Sequence, residues 1–279
     1  MRALSTTLLL LGLGIGLAPS LRASTTFDFS SSASYGTTGN MGQGSVGNTL
    51  TFCNGVPSAS ACSGGQFSVL ATAWSTTGVS PQPTSSLQTA AVGQYYPYGL
   101  GVCNTVEIAA TCNSPQHALD NSGNVDFILL TFSTPVAALS FDLSTFNTTE
   151  GTDVTYFAGD CASTCSPAGK TVLSGGTAPL NSTLFGANSS SFVTNTVLGP
   201  TTNTGSGVGT VPVTVTINSG TAVNCILIGA STTGSADDFF KLSSMTYATA
   251  PEPATFGLAG AALAALGLLR RKKLLSAKS

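Results

Sequence analysis

Short runs of apolar and β-branched residues recur along the middle of the chain, separated by clusters of Gly, Ser, Thr, Asn and Pro. Runs of this length and composition, bounded by turn-forming residues, are typical of β-strands. No helical periodicity interrupts them between residues 24 and 250, so the pattern predicts an all-β domain. The runs are QFSVLATAW (66–74), VDFILLTF (125–132), VAALSFDL (136–143), DVTYFAG (153–159), SFVTNTVL (191–198), VPVTVTIN (211–218), VNCILIG (223–229) and FFKLSSMTY (239–247).

Two of these runs show where their strands should lie in a sheet. Every second residue of 211–218 is apolar, which predicts a half-buried strand, and Pro212 favours an edge position. The continuous apolar run 125–132 suits a central strand, and STPV (133–136) is expected to turn the chain into a hairpin with the next run. Because such strands bury one face against a second layer, we expect residues 24–250 to form a two-sheet, jelly-roll-like β-sandwich.

Charge is scarce and unevenly placed. Only 7% of the residues are charged, against about 25% in an average soluble protein. Between residues 24 and 250 there are ten acidic residues but only Lys170 and Lys241, a formal charge of −8 (ten minus two). Nucleic-acid binding needs clustered Lys and Arg to neutralise phosphates, so this composition excludes it.

The N-terminal segment has the order of features found in secretion signals. Arg2 supplies the positive charge, and residues 8–18 form an apolar run that is short for a membrane span. Cleavage is expected after Ala23. We therefore predict a signal peptide over residues 1–23, which directs the following domain out of the cytoplasm.

The C-terminal segment predicts one transmembrane helix. Residues 254–269 carry no charge and extend about 24 Å as a helix, somewhat less than the roughly 30 Å hydrocarbon core. Flanking Lys and Arg side chains reach the interface and compensate for the short span. By the positive-inside rule, the basic cluster Arg270, Arg271, Lys272 and Lys273 stays in the cytoplasm, and the domain lies outside.

The tail as a whole resembles a known sorting signal. The tripeptide Pro251-Glu252-Pro253, the Gly- and Ala-rich apolar segment and the terminal basic cluster are similar to the PEP-CTERM domain of Gram-negative bacteria. The resemblance covers residues 251–279 and implies an exosortase, a membrane-embedded cysteine transpeptidase, as partner. It also implies cleavage near the tripeptide, a transient stay in the inner membrane, and release or transfer to the cell surface or beyond.

A second resemblance covers about half of the body. The stretches GLGVCN (99–104), HALDNSGNVDFILLTFSTPVAALSFDLS (117–144), VNCILIGAS (223–231) and DDFFKLSSMTY (237–247) look like ectodomains that accompany this tail. This resemblance implies a sandwich and carries no particular activity.

Cysteine spacing predicts local disulfides in an exported chain. Cys53/Cys62 and Cys103/Cys112 share the spacing C-x8-C, and Cys161/Cys165 form C-x3-C. Local pairing leaves Cys225 as a free, buried cysteine in an apolar strand, although six cysteines allow 15 connectivities. A zinc site is the alternative, but C-x2-C spacing and a histidine partner are missing.

The acidic residues raise the question of a metal ion. Asp120, Asn121 and Asp126 crowd one turn, Asp142 lies on the following strand, and Asp237 and Asp238 begin the last run. If they converge, Ca²⁺ is the candidate cofactor because it takes six to eight oxygen ligands. The competing interpretation is that Asp and Asn form ordinary turns and remain solvated.

The remaining chemistry gives no enzyme signature. His117 is the single histidine, and no G-x-S-x-G nucleophile motif accompanies it, so we assign no catalytic residue. Tyr95, Tyr96 and Tyr98 form an aromatic cluster that is a candidate for stacking on sugar rings. The resemblance to PEP-CTERM proteins implies a structural or adhesive, non-enzymatic surface protein; the alternatives are a module that binds extracellular polysaccharide and, less favoured, a secreted hydrolase.

Overall fold

The structure is a computed structural model, and it describes the parts of the chain that carry the sheet. These are residues 24–30, 49–53, 56–58, 62–78, 86–95, 97–107, 117–145, 152, 154–159, 161, 213–217, 222–230, 238–249, 260 and 263. Residues Ser24–Thr249 form one compact unit, and the residues before and after it form another.

The compact unit contains twelve strands in its described residues. They are β1 (Ser24–Asp28), β2 (Thr49–Cys53), β3 (Val56–Ser58), β4 (Ser68–Thr76), β5 (Leu87–Tyr95), β6 (Gly99–Cys103), β7 (Leu119–Asp120), β8 (Asp126–Thr145), β9 (Val154–Gly159), β10 (Val213–Ile217), β11 (Val223–Ala230) and β12 (Phe239–Thr249). The all-β prediction is confirmed. The predicted strand at 191–198 and Pro212 lie outside the described residues.

All twelve strands belong to one sheet that closes on itself. The order is β3-β2-β4-β5-β6-β12-β8-β11-β9, and an additional β4–β8 pairing returns the path to β4. The ladders are antiparallel, including the long-range pairs β4–β8 and β8–β12. This barrel-like closure does not confirm the predicted separation into two sheets. The closed part runs through β4, β5, β6, β12 and β8, while β3 and β9 lie at the two ends of the strand order.

Strand β8 makes the closure because it changes neighbours along its length. Its first part pairs with β4 and β11, and its second part pairs with β12 and β10. The predicted turn at 133–136 is wrong: the chain stays extended there, and Ser133, Thr134 and Pro135 are exposed at the point of the change. A proline without an N–H is tolerated where it leaves no ladder bond unmade.

Burial agrees with the two strand patterns read from the sequence. In β10, Thr214 and Thr216 are exposed while Val215 and Ile217 are buried, as a half-buried strand requires. In β8, the successive residues 127–130 are all buried and have neighbours on both sides, which confirms a central position. Each large apolar side chain buried in this way contributes roughly 1.5–3 kcal/mol.

Disulfides connect parts of this sheet. Cys53 and Cys62 are joined as predicted, and Cys103 is also disulfide-bonded. Cys161 is joined to Cys225, with Cα atoms 5.8 Å apart. The expectation of a free Cys225 is therefore wrong, because the β9–β11 ladder carries the chain after Gly159 to the side of Cys225. The predicted partners Cys112 and Cys165 lie outside the described residues.

Candidate functional site

Buried ionisable side chains concentrate where β6, β7 and β12 meet the start of β8. We refer to Glu107, His117, Asp120, Asp126 and Lys241 as the charge cluster. Asp120 feels the charges of Glu107, His117 and Lys241, and Asp126 feels those of Asp120 and Glu107. Lys241 is the only Lys or Arg in the part of the chain that the structure describes. The domain has few cationic residues, and it places Lys241 close to the acidic side chains of this cluster.

A tight turn brings the two aspartates together. The side chain of Asp120 accepts a hydrogen bond from the backbone N–H of Ser122 (3.0 Å), the turn geometry that Asp favours. Gly123 then adopts a φ of 102°, which a residue with a Cβ rarely does. The chain re-enters the sheet at Asp126, the first residue of β8.

The same turn is fastened to the start of β12. Asn121 Nδ2 donates to Asp238 Oδ2 (2.7 Å), and the backbone N–H of Asp238 donates to Asn121 Oδ1 (3.0 Å). Both side chains are buried. This reciprocal pair holds the β7–β8 turn against the strand that carries Lys241.

A second turn, after β6, supplies the third acid. Asn104 Oδ1 accepts from the backbone N–H groups of Val106 (3.0 Å) and Glu107 (3.2 Å), and Glu107 Oε2 accepts from the Asn104 N–H (3.1 Å). Asn104 Nδ2 donates to Asp126 Oδ1 (3.3 Å). One buried asparagine therefore orders this turn and also contacts the carboxyl of Asp126.

Lys241 has no exposed surface. Its Nζ donates to the backbone carbonyl of His117 and lies 4.7 Å from the ring centroid of Tyr95. Gly101 permits the His117 carbonyl to come close, because a Cβ at that position would collide with it. Burial lowers the pKa of Lys241 to about 7, against the opposing charges of Asp120 and Glu107.

The two aspartates are shifted in the opposite direction. Burial, followed by the charge of Glu107, raises the pKa of Asp120 to about 7. Burial and the charge of Asp120 raise the pKa of Asp126 well above its ordinary value, although the hydrogen bond from Asn104 opposes this. Asp126 Oδ2 has no hydrogen-bond partner within the described residues, which a protonated carboxyl tolerates better than a carboxylate.

Ser75 lies directly opposite Asp126 in the β4–β8 register. Residues opposite each other in an antiparallel pair project from the same face. Ser75 Oγ is buried and likewise has no hydrogen-bond partner in the described ranges. A hydroxyl therefore shares the face onto which the Asp126 carboxyl projects.

Next to the lysine lies a group with metal-ligand chemistry. His117 Nδ1 is 3.5 Å from Glu107 Oε2, and one ligand atom of each, together with Cys103 Sγ, lies within 4.8 Å of the others. The histidine partner that sequence spacing lacked is thus supplied by the fold. Because Cys103 is oxidised in a disulfide, its sulfur is not the thiolate that zinc requires.

Four of the residues proposed as calcium ligands lie around the β7–β8 turn. The charge of Asp120 raises the pKa of Asp126, while the side chains of Asn121 and Asp238 are hydrogen-bonded to each other. Asp142 is separate: it accepts from Thr214 Oγ1 (2.6 Å) and Ser244 Oγ (2.7 Å). Asp237 lies outside the described residues. Calcium binding stays a prediction.

The tyrosine cluster is only partly available for stacking. Tyr95 is buried, and Lys241 lies over its ring. Tyr98 is half-buried, and its N–H donates to the carbonyl of Tyr95 (2.6 Å). Tyr96 lies outside the described residues. Sugar binding at this loop would therefore depend on Tyr96 and Tyr98 rather than on Tyr95.

Asn104, Glu107 and Lys241 are members of the site that sequence reasoning did not select. The position of Lys241 in the apolar run FFKL, in a body with one other lysine, was a usable signal. Asn104 and Glu107 carried no comparable signal, because polar residues in turns are ordinary.

The C-terminal segment gives the link to known proteins. Residues 249–273 match the family described as the PEP-CTERM protein-sorting motif. The chain thus carries the PEP-CTERM sorting motif at its C-terminal end, as its sequence predicted. No curated protein and no solved structure matches the chain.

Most of that tail lies outside the described residues, including 251–253 and 270–273. Its two described residues, Gly260 and Leu263, are helical and exposed. Among the residues that the structure describes, none of the helices has the length and apolar character needed to cross a membrane. The signal peptide at 1–23 also lies outside the described part.

Proposed function

We propose that this protein is exported, sorted by an exosortase, and serves a structural or adhesive role at the cell surface or in the extracellular matrix. The sorting motif carries this proposal: it begins at residue 249, the last residue of β12. The closed sheet and the sorting tail are therefore adjacent along the chain. We further propose that the protein is not an enzyme.

Two features of the domain support the proposal that it lies outside the cell. The disulfides Cys53–Cys62 and Cys161–Cys225 belong to an oxidising compartment. The closed sheet and its extensive apolar core suit a load-bearing or spacing element. In this proposal residues 1–23 direct export, residues 254–269 hold the chain in the membrane, and the basic cluster at 270–273 stays inside.

Sorting is tested by replacing the tripeptide in a host that contains an exosortase. The triple substitution Pro251→Ala, Glu252→Ala and Pro253→Ala should leave the tail attached and the protein in the membrane fraction. Wild type, and a control with Pro135→Ala on the exposed part of β8, should lose the tail and leave the membrane. C-terminal peptide mass spectrometry reads the cut. Equal processing of wild type and triple variant, or no processing of either, would contradict the proposal.

The structural role is tested against the carbohydrate alternative. Binding of the released domain to extracellular polysaccharide that disappears in Tyr96→Ala or Tyr98→Ala, but not in Thr214→Ala, would favour a carbohydrate-binding module. Assembly into the surface layer without such binding agrees with a structural role.

A further inference from the structure

The environment of Lys241 is unusual for an ion pair. A buried lysine is costly unless its charge is compensated, and the compensation here comes from acids that are themselves shifted toward the neutral form. The pair Lys241 and Asp120 is 96–100% removed from solvent, with relative exposures of 0% and 4%. Burial lowers the pKa of the Lys241 amine and raises that of the Asp120 carboxyl, and an amine and a carboxylic acid on paired strands can react to form an amide.

The register of β7 and β12 places the two side chains on one face. Asp120 is paired with Phe239, and Leu119 with Phe240. Side chains alternate along a strand, so Lys241 projects from the same side as Phe239. Lys241 is therefore the diagonal neighbour of Asp120, a separation that long side chains bridge.

We propose that Lys241 and Asp120 condense into an intramolecular amide that covalently joins β12 to β7, with Asp126 as the proton-transfer group. The domain would thus carry a self-formed isopeptide crosslink. The reaction occurs once per molecule, is independent of the sorting tail, and goes beyond the proposed structural role.

The bond changes balance without a further reagent. The neutral Nζ of Lys241 attacks Cγ of the protonated Asp120 carboxyl, and the N–C bond forms. The carboxyl of Asp126 accepts a proton from the nitrogen and delivers a proton to the departing hydroxyl. The C–O bond breaks, one water molecule leaves, and Asp126 returns to its starting state.

The surroundings favour this condensation over a stable ion pair. The Lys241 amine lies next to the ring of Tyr95, and the lysine is removed from bulk water. Fixing the two groups on paired strands makes the reaction intramolecular, which lowers the entropic part of the barrier. Asp126 is held by Asn104 and electrostatically coupled to Asp120, so it is placed to exchange protons with that carboxyl.

Asp120 is preferred over Glu107 as the acyl partner. Glu107 lies in the loop after β6, its side chain is 29% exposed, and it contacts His117 Nδ1 and the Asn104 N–H. Asp120 lies on the strand that pairs with β12. A crosslink to Glu107 would give the same loss of mass, so the partner must be identified in peptides.

The test is the mass of the full chain, expressed for export, purified, reduced and alkylated. Wild type should be lighter by one water molecule than the mass calculated for its uncrosslinked chain, and its mass difference from Lys241→Met should include that water. Chymotryptic peptides should contain residues 120 and 241 joined to each other. Asp120→Asn should lose one ammonia instead of one water, and Asp120→Ala should lose neither.

Two further variants separate chemistry from folding. Asp126→Asn should keep the β-sheet circular dichroism of wild type and the Cys53–Cys62 disulfide but remain uncrosslinked, with restoration by Asp126→Glu. Asp142→Asn, on the same strand, should crosslink as wild type does. Folded wild type that yields separate, unmodified peptides for residues 120 and 241 overturns the proposal, and a bond to Glu107 overturns the choice of Asp120.

Discussion

Two aspartates on the same strand, Asp126 and Asp142, occupy opposite kinds of environment. Asp126 begins β8, has no exposed surface and has a strongly raised pKa. Asp142 is half-buried and receives hydrogen bonds from the hydroxyls of Thr214 and Ser244. Burial beside other acids raises the pKa of one carboxyl, and the other accepts hydrogen bonds from two hydroxyl groups.

The difference follows from which strands surround each half of β8. The first half is covered by β4 and β11, and the turns carrying Asn104 and Asp120 close over its start. The second half lies between β10 and β12, where Thr214 and Ser244 flank Asp142. Desolvation raises the pKa of the first carboxyl, whereas the second accepts hydrogen bonds from two neighbouring hydroxyl groups.

Among the substitutions that test this comparison, replacement of Lys241 should cause the largest loss of stability. Lys241→Met removes a buried amine and its hydrogen bond to the His117 carbonyl, a loss of about 1.5–3 kcal/mol. Urea unfolding at pH 7 should show this loss of stability, increased further by the loss of the crosslink. A change below about 1 kcal/mol would mean that the charge cluster does not depend on its lysine.

The second largest effect is expected from Asp126, as a contribution to the pH dependence of stability. Because its pKa is higher in the folded than in the unfolded state, the native state binds more protons, and stability falls as pH rises above about 4. The slope contributed by this group approaches about 1.4 kcal/mol per pH unit. Asp126→Asn should remove this contribution, and Asp142→Asn should preserve it. Parallel pH profiles for wild type and Asp126→Asn would contradict the assignment.

Loss of the hydrogen bonds that join the β7–β8 turn to Asp238 should reduce stability by an intermediate amount. Asn121→Ala removes both hydrogen bonds to Asp238 and leaves a buried carboxyl without them, at a cost of about 1–3 kcal/mol. Ser244→Ala, which removes one bond at Asp142, is the matched control and should cost less. Thermal unfolding of the two variants gives the comparison, and equal melting temperatures would show that the turn is held by other contacts.

The smallest effect is expected at Asp142 itself. Asp142→Asn keeps an oxygen acceptor for Thr214 and changes little in a half-buried, hydroxyl-lined place, so stability should change by less than about 1 kcal/mol. Chemical denaturation at pH 7 measures this difference. A loss as large as that of Lys241→Met would show that the two ends of β8 are not as different as their surroundings indicate.

Sequence reasoning was accurate where local pattern decides structure. The central and half-buried characters of residues 127–132 and 214–217 were predictable from the order of apolar residues. The turn at 133–136 was not, because a turn-forming sequence on the exposed part of a long strand does not force a reversal. β5 and β6 were missed, since their small residues and glycines weaken the strand signal.

The site was predictable only in part, because some of its contacts join residues that are distant in sequence. Asp120, Asn121 and Asp126 are neighbours in sequence, so their proximity was evident. Their contacts with Glu107, Asp238 and Lys241 depend on pairing between distant strands. The link between Cys161 and Cys225 likewise depends on the ladder between β9 and β11.

The sequence alone determined the all-β class, the acidic, cation-poor body and the sorting tail, because each rests on local order or composition. Only the tertiary structure decided the closure of the sheet, the partner of Cys225 and the burial of one lysine among three acids. Those features arise when strands that are distant in sequence are brought into register. Burial then changes their proton affinities in a way that their order along the chain does not specify.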